Sequence, residues 1–295
     1  MTDSRYPRIR RQLSNGFLIL QESVALSYFI LRPHKDISDC VIKALGIYLQ
    51  TVGQDKLRWY TDAEGEGRPL DEAGWAFVHD KLRGDKGWPL DLWESNTSVG
   101  SHRFEYRARA SSLQGPTLQP DAVCGVSFWL PTEYLESRGP AQVKALAERL
   151  ARELPFNTGY TTLALNTLSD QMGISHVLRE LCERYPGMDL HKEEVTMRLG
   201  TRPKGSYWLN FYGQPLLGQL GGVAALGERL TLPGISVQQL SEDKVLVELG
   251  EWPEVDGEMP SYRQLARVLE PHLYQETIPL LEPEEMRRWE RRFLD

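Results

Sequence analysis

The chain has 295 residues, 41% hydrophobic and 25% charged, with a formal net charge of -7. A chain of this length buries most of its apolar surface without disulfide or metal staples, and its acidity weighs against a nucleic-acid binder, whose phosphate contacts need clustered Lys and Arg. The same acidity suits a basic protein partner, and equally a protein kept dispersed by like charge.

Residues 1–16 read as an N-terminal arm and 17–295 as one domain. Residues 17–32 are rich in β-branched and aromatic side chains and predict a long strand or hairpin, stopped by Pro33. Asp36 or Ser38 can cap a helix carrying Val41, Ile42, Leu45, Ile47 and Leu49. Residues 56–61 predict a short strand with Leu57, Trp59 and Thr61 on one face, followed by an acidic, glycine-rich turn over 62–67. Asp71 starts a helix through Trp75, Val78 and Leu82. Strands are expected at 88–94 and 102–110, the second alternating at Phe104, Tyr106 and Ala108.

The continuous apolar run at 123–130 predicts a central strand. A helix starts at Thr132, breaks at Gly139-Pro140 and resumes through Val143, Leu146 and Leu150. Residues 160–165 form another strand, and Ile174, Val177, Leu178 and Leu181 mark one face of a helix. The irregular stretch 183–204 is the best place for a boundary between two lobes. A strand at 207–212, a glycine-proline break and a helix over 223–230 follow. A hairpin joins 235–240 to 245–249 through Ser241-Glu242-Asp243-Lys244, and helices close the chain near 262–273 and 284–294. Several neighbouring strands are joined by short turns, which favours an α+β fold: a mixed, largely antiparallel sheet flanked by helices, in one domain or two closely packed lobes.

Cys40, Cys124 and Cys182 are odd in number and far apart, with no C-x-x-C pair to hold zinc or cycle electrons. They read as small buried hydrophobes, which points weakly to a reducing compartment. The arginines at 5, 8, 10 and 11 precede an apolar run too short for a secretory signal. No apolar stretch reaches the length of about 18 residues that a membrane span needs. A cytoplasmic protein is expected.

Catalytic signatures are missing. Gly213 and Gly218 have P-loop spacing, but Gln219 stands where Lys is required. There is no G-x-S-x-G and no H-E-x-x-H. The histidines at 34, 79, 102, 176, 191 and 272 never fall at a helical i, i+4 spacing, and read as surface or singly hydrogen-bonded groups. Pro120-Asp121 and Glu242-Asp243-Lys244 imitate the two halves of a metal-dependent nuclease site. The second half sits in a predicted hairpin turn, where charged residues are ordinary. No catalytic residue, cofactor or metal is expected.

Two acidic stretches are candidates for partner binding. One is Asp62, Glu64 and Glu66; the other is Glu251, Trp252, Glu254, Asp256 and Glu258. Each alone is also what a solvated loop looks like. Together they could form an electrostatic patch that meets a basic cleft, with Trp252 as an aromatic anchor. In the tail, Met286, Trp289 and Phe293 share one face, reading as an amphipathic helix docked on the core rather than a nucleic-acid arm.

Val126-Ser127-Phe128-Trp129-Leu130-Pro131-Thr132-Glu133-Tyr134-Leu135 resembles a family of bacterial type VI secretion immunity proteins. So do the segment 207–222, Val247-Glu248-Leu249-Gly250-Glu251-Trp252-Pro253 and the closing residues 286–295. The family is associated with immunity to nuclease toxins of the VRR-NUC and related restriction-endonuclease-like types. The resemblance implies a non-catalytic inhibitor that binds its cognate secreted nuclease toxin in the cytoplasm, with no direct nucleic-acid or membrane contact. Two other classes stay open: a hydrolase of unrecognised type, which would show a deep pocket with converging His and carboxylate groups, and an effector-loading adaptor or chaperone, which would bind several effectors.

Overall fold

The computed structural model describes residues 4–109, 119–167, 174–276 and 281–295. The arm contributes β1 (Arg10–Gln12), which pairs antiparallel with β2 (Leu18–Ile30). The arm is docked: Tyr6 and Ile9 are buried, and Ile9 N–H donates to the buried Glu22 carboxylate at 2.7 Å. Arg8 and Arg10 pair with the same carboxylate. Arg8 and Arg10 therefore neutralise an internal charge.

α1 (Ser38–Val52) begins without a side-chain cap; Ile37 takes the cap position, while the Ser38 hydroxyl donates to the Leu82 carbonyl. β3 (Trp59–Thr61) and β4 (Gly67–Pro69) form a hairpin around the acidic turn. Leu57 precedes the strand and packs in the core, so the face read from the sequence runs only from Trp59 to Thr61. α2 (Glu72–Arg83) is capped by Asp71, which accepts from Gly74 N–H at 2.9 Å. β5 (Leu90–Trp93), β6 (Arg103–Arg107) and β7 (Cys124–Leu130) follow, then α3 (Thr132–Arg138) and α4 (Pro140–Glu153), separated at Gly139.

β8 (Thr158–Thr167), α5 (Ile174–Arg184) and β9 (Asp189–Leu190) lead to β10 (Leu209–Tyr212). α6 (Leu216–Gln219) and α7 (Gly222–Arg229) precede the hairpin of β11 (Ile235–Ser241) and β12 (Lys244–Leu249). α8 (Pro260–Leu269) and α9 (Pro283–Glu290) complete the chain. The predicted strand residue Ala110 lies outside the described residues.

Twelve strands form one sheet in the order β11-β12-β10-β8-β2-β7-β6-β5-β3-β4, with β1 on β2 and β9 on β8. Among the described strands, only the β8–β9 pair is parallel. The fold is α+β with a mixed, largely antiparallel sheet. β2 is central because β8 pairs with it from Leu20 to Phe29 on one side and β7 from Val24 to Ile30 on the other. Its alternation assigns the faces. Leu20, Val24, Leu26, Tyr28 and Ile30 join the main core with Val41 and Tyr48 of α1 and Val143 and Leu150 of α4. Gln21, Ser23, Ala25 and Ser27 alternate with them and are buried too.

The stretch 183–204 closes over that second face. β9 adds to β8, and Val123 N–H donates to the Thr196 carbonyl at 2.8 Å. Gly125 leaves room for this approach, since a Cβ there would lie 2.6 Å from the Thr196 side chain. The strand expected at 207–212 is core: Trp208, Phe211 and Tyr212 are buried. Cys124 and Cys182 are buried and Cys40 is half-buried; all three are free.

Candidate functional site

The first acidic loop is organised by Asp62. Its carboxylate accepts from Glu64 N–H at 3.0 Å, Glu66 N–H at 2.8 Å and Arg68 Nε at 2.8 Å. These bonds, that from Arg68 foremost, hold its carboxyl below the usual range. Asp62 therefore shapes the turn. Glu64 and Glu66 are exposed, and their carboxylates have no partner among the described residues.

The second loop, 250–259, is pinned from beneath. Pro253, Val255 and Met259 are buried. The Tyr6 hydroxyl donates to the Pro253 carbonyl at 3.2 Å, Gly187 N–H to the Val255 carbonyl at 3.0 Å, and Glu254 N–H to the Tyr262 hydroxyl at 3.1 Å. Trp252 is half-buried, with the Arg5 guanidinium 4.2 Å above its ring. Burial pushes the Glu254 carboxyl up. Glu251, Glu254, Asp256 and Glu258 are exposed.

The fold does not bring the two loops together. One follows β12 and the other joins β3 to β4, seven strand spacings along the sheet, or roughly 34 Å at the usual separation.

The groups that imitate catalytic halves are engaged elsewhere. Lys244 donates to the Ala151 and Leu154 carbonyls at 3.3 and 3.0 Å, closing the C-terminus of α4. Asp121 pairs with Arg202 at 3.1 Å. The P-loop-like glycines sit around the four-residue α6, where Gln214 Oε1 accepts from Gly218 N–H at 3.1 Å. Among the described residues no group of three or more His, Cys, Asp or Glu is placed to hold a metal ion.

A buried ionic layer on the second face of the sheet was not anticipated from sequence. The Glu105 carboxylate meets Arg103 at 2.6 Å, His191 Nε2 at 2.9 Å and the Trp129 indole N–H at 2.7 Å. Asp91 bridges Arg103 and Arg107 at 3.0 Å each. Asp189 is fully buried and accepts from the Tyr160 hydroxyl at 2.7 Å, the Tyr207 hydroxyl at 2.8 Å and Lys204 at 2.8 Å. Burial raises both carboxyls, but Arg103 beside Glu105 and Lys204 beside Asp189 overcome it and hold both below the usual range.

One histidine departs from the surface or singly hydrogen-bonded reading. His34 is fully buried with both ring nitrogens engaged, to the Tyr106 hydroxyl at 2.7 Å and the Gly84 carbonyl at 2.9 Å. His102 and His191 fit the singly hydrogen-bonded reading, with one bond each to Glu94 and Glu105. Spacing could not show this, because each partner comes from another strand or loop.

A family model described as type VI immunity for VRR-NUC, TsiV, matches residues 40–293. The chain belongs to the TsiV family. A search of curated proteins gave no match for this TsiV-family chain. Among solved structures, Pseudomonas aeruginosa T6SS protein PA0821 is similar at a TM-score of 0.79 and 17% identity, over 99% of this chain and 88% of that one. At that identity the likeness is one of fold. No described helix of the TsiV-family chain is long and apolar enough to cross a membrane.

Proposed function

We propose that this protein binds a VRR-NUC nuclease toxin in the cytoplasm and neutralises it as a stoichiometric, non-catalytic inhibitor. The family match over residues 40–293 carries the proposal. Electrostatics supports it: the net charge is -7, whereas a nuclease presents cationic surface to DNA, so the two fields attract and speed encounter.

Glu64, Glu66, Glu251, Glu254, Asp256 and Glu258 are the candidates with exposed side chains for meeting that surface. Asp62 and Trp252 shape the loops that present them. The test is co-expression with the toxin encoded by the neighbouring gene, followed by size-exclusion chromatography. Growth rescue and co-elution of the purified pair support the proposal; toxicity unrelieved by the expressed, folded protein contradicts it.

A further inference from the structure

Six of the eight tryptophans are engaged by a ring, a cation or a backbone carbonyl. Trp129 packs edge-on against His191, Trp75 faces His79, and the Trp208 indole N–H donates to the Gly250 carbonyl. Trp88, Trp252 and Trp289 lie under Lys81, Arg5 and Arg292. Trp59 and Trp93 differ. They are directly opposed across β3 and β5, half-exposed, outside every hydrophobic cluster, and without an aromatic or cationic partner among the described residues. Both line a groove of about 400 Å³, with Phe17 and Val99 as its other apolar walls.

The charged residues lining the groove are Asp91 and Arg103, with Asn96 and Ser98 as neutral polar neighbours. Arg103 is already matched by Asp91 and Glu105, so it offers no free positive charge to an entering anion. The mouth is acidic. Thr61 and Gly67 line the groove and directly flank the turn carrying Glu64 and Glu66. The cation of that hairpin, Arg68, is bonded to Asp62 and pairs with Tyr60, which puts it on the opposite face. Two indoles and an apolar wall, next to a turn with two exposed carboxylates that make no direct ion pair among the described residues, match a flat cation on an apolar stem. The guanidinium of Arg has that form: it stacks on aromatic rings while its methylenes cover apolar surface.

We infer that this groove is the docking slot for an arginine side chain on the toxin, with Trp59 and Trp93 as its walls and Glu64 and Glu66 as its electrostatic rim. The inference rests on the proposed function and adds the contact that would anchor the complex. A buried Trp–Arg contact slows dissociation, whereas rim charges act on encounter and salt dependence.

The test measures affinity by calorimetry between the full-length protein and a catalytically inactive form of the toxin encoded by the neighbouring gene, at low and high salt. Trp59→Ala is expected to weaken binding at least about tenfold at both salt concentrations. Glu64→Lys with Glu66→Lys is expected to weaken it more at low salt than at high. Both charge-reversed positions are exposed, so that variant reports even if Trp59→Ala fails a circular-dichroism check of folding. Tight wild-type binding that neither variant alters overturns the slot and leaves the proposed function standing. A loss with Trp59→Ala and none with the charge reversals at low salt overturns its cationic specificity. Absence of wild-type binding overturns the proposed function, and the slot with it.

Discussion

Asp189 concentrates the energetics of the second sheet face in one side chain. Two phenol hydroxyls and the Lys204 ammonium converge on a carboxylate with no solvent exposure. Removing one partner of such a pair strands the other, at a cost of about 3–5 kcal/mol. Asp189→Asn should therefore lower stability to urea by about that much at neutral pH. The sign of the pH dependence follows from the depressed carboxyl. Its stabilisation is complete above the unfolded value of about 4 and is lost as pH falls through the folded value. The wild-type and Asp189→Asn curves should thus converge in acid, when unfolding free energies are measured from pH 7 downward. A constant gap at all pH values would mean that the charge of Asp189 contributes nothing.

At the scale of elements, Lys244 shows how a motif is resolved by its neighbours. Its ammonium sits at the C-terminal end of α4, where backbone carbonyls lack partners and the helix dipole favours a cation. Lys244→Met should cost about 1 kcal/mol in urea unfolding, whereas a lysine serving chemistry would leave stability unchanged. Most elements were legible in the sequence. Proline and glycine punctuate them, as at Gly139 between α3 and α4, and apolar runs of strand length gave β2 and β7. The ionic layer was not legible. Arg103, Glu105 and Arg107 alternate with Phe104 and Tyr106, which is how a solvated strand face reads. Glu105 is covered because the stretch 183–204, irregular in sequence, brings His191 onto it, while Arg103 and Arg107 stay partly exposed and are matched by Asp91. The acidic loops were legible as runs of carboxylates. The tryptophan slot was not, because only the β3–β5 pairing sets Trp59 beside Trp93.

For the molecule as a whole, the separation of the two acidic loops divides their tasks. A contact anchored at the β3–β4 end leaves the 250–259 loop to act through its field, which extends about one Debye length, near 10 Å at moderate salt. Reversing Glu251, Glu254, Asp256 and Glu258 should therefore slow association at low salt, with little effect at high salt or on dissociation. Surface plasmon resonance at two ionic strengths reads both rates, and unchanged association at low salt would remove that loop from recognition. The central claim, that the chain acts by occupying a toxin surface, is tested most directly by titrating active toxin with the pure protein while recording DNA cleavage. Cleavage should fall in proportion to the protein added and stop at molar equivalence. Full inhibition by a small fraction of an equivalent, or undiminished cleavage in excess protein, would contradict it.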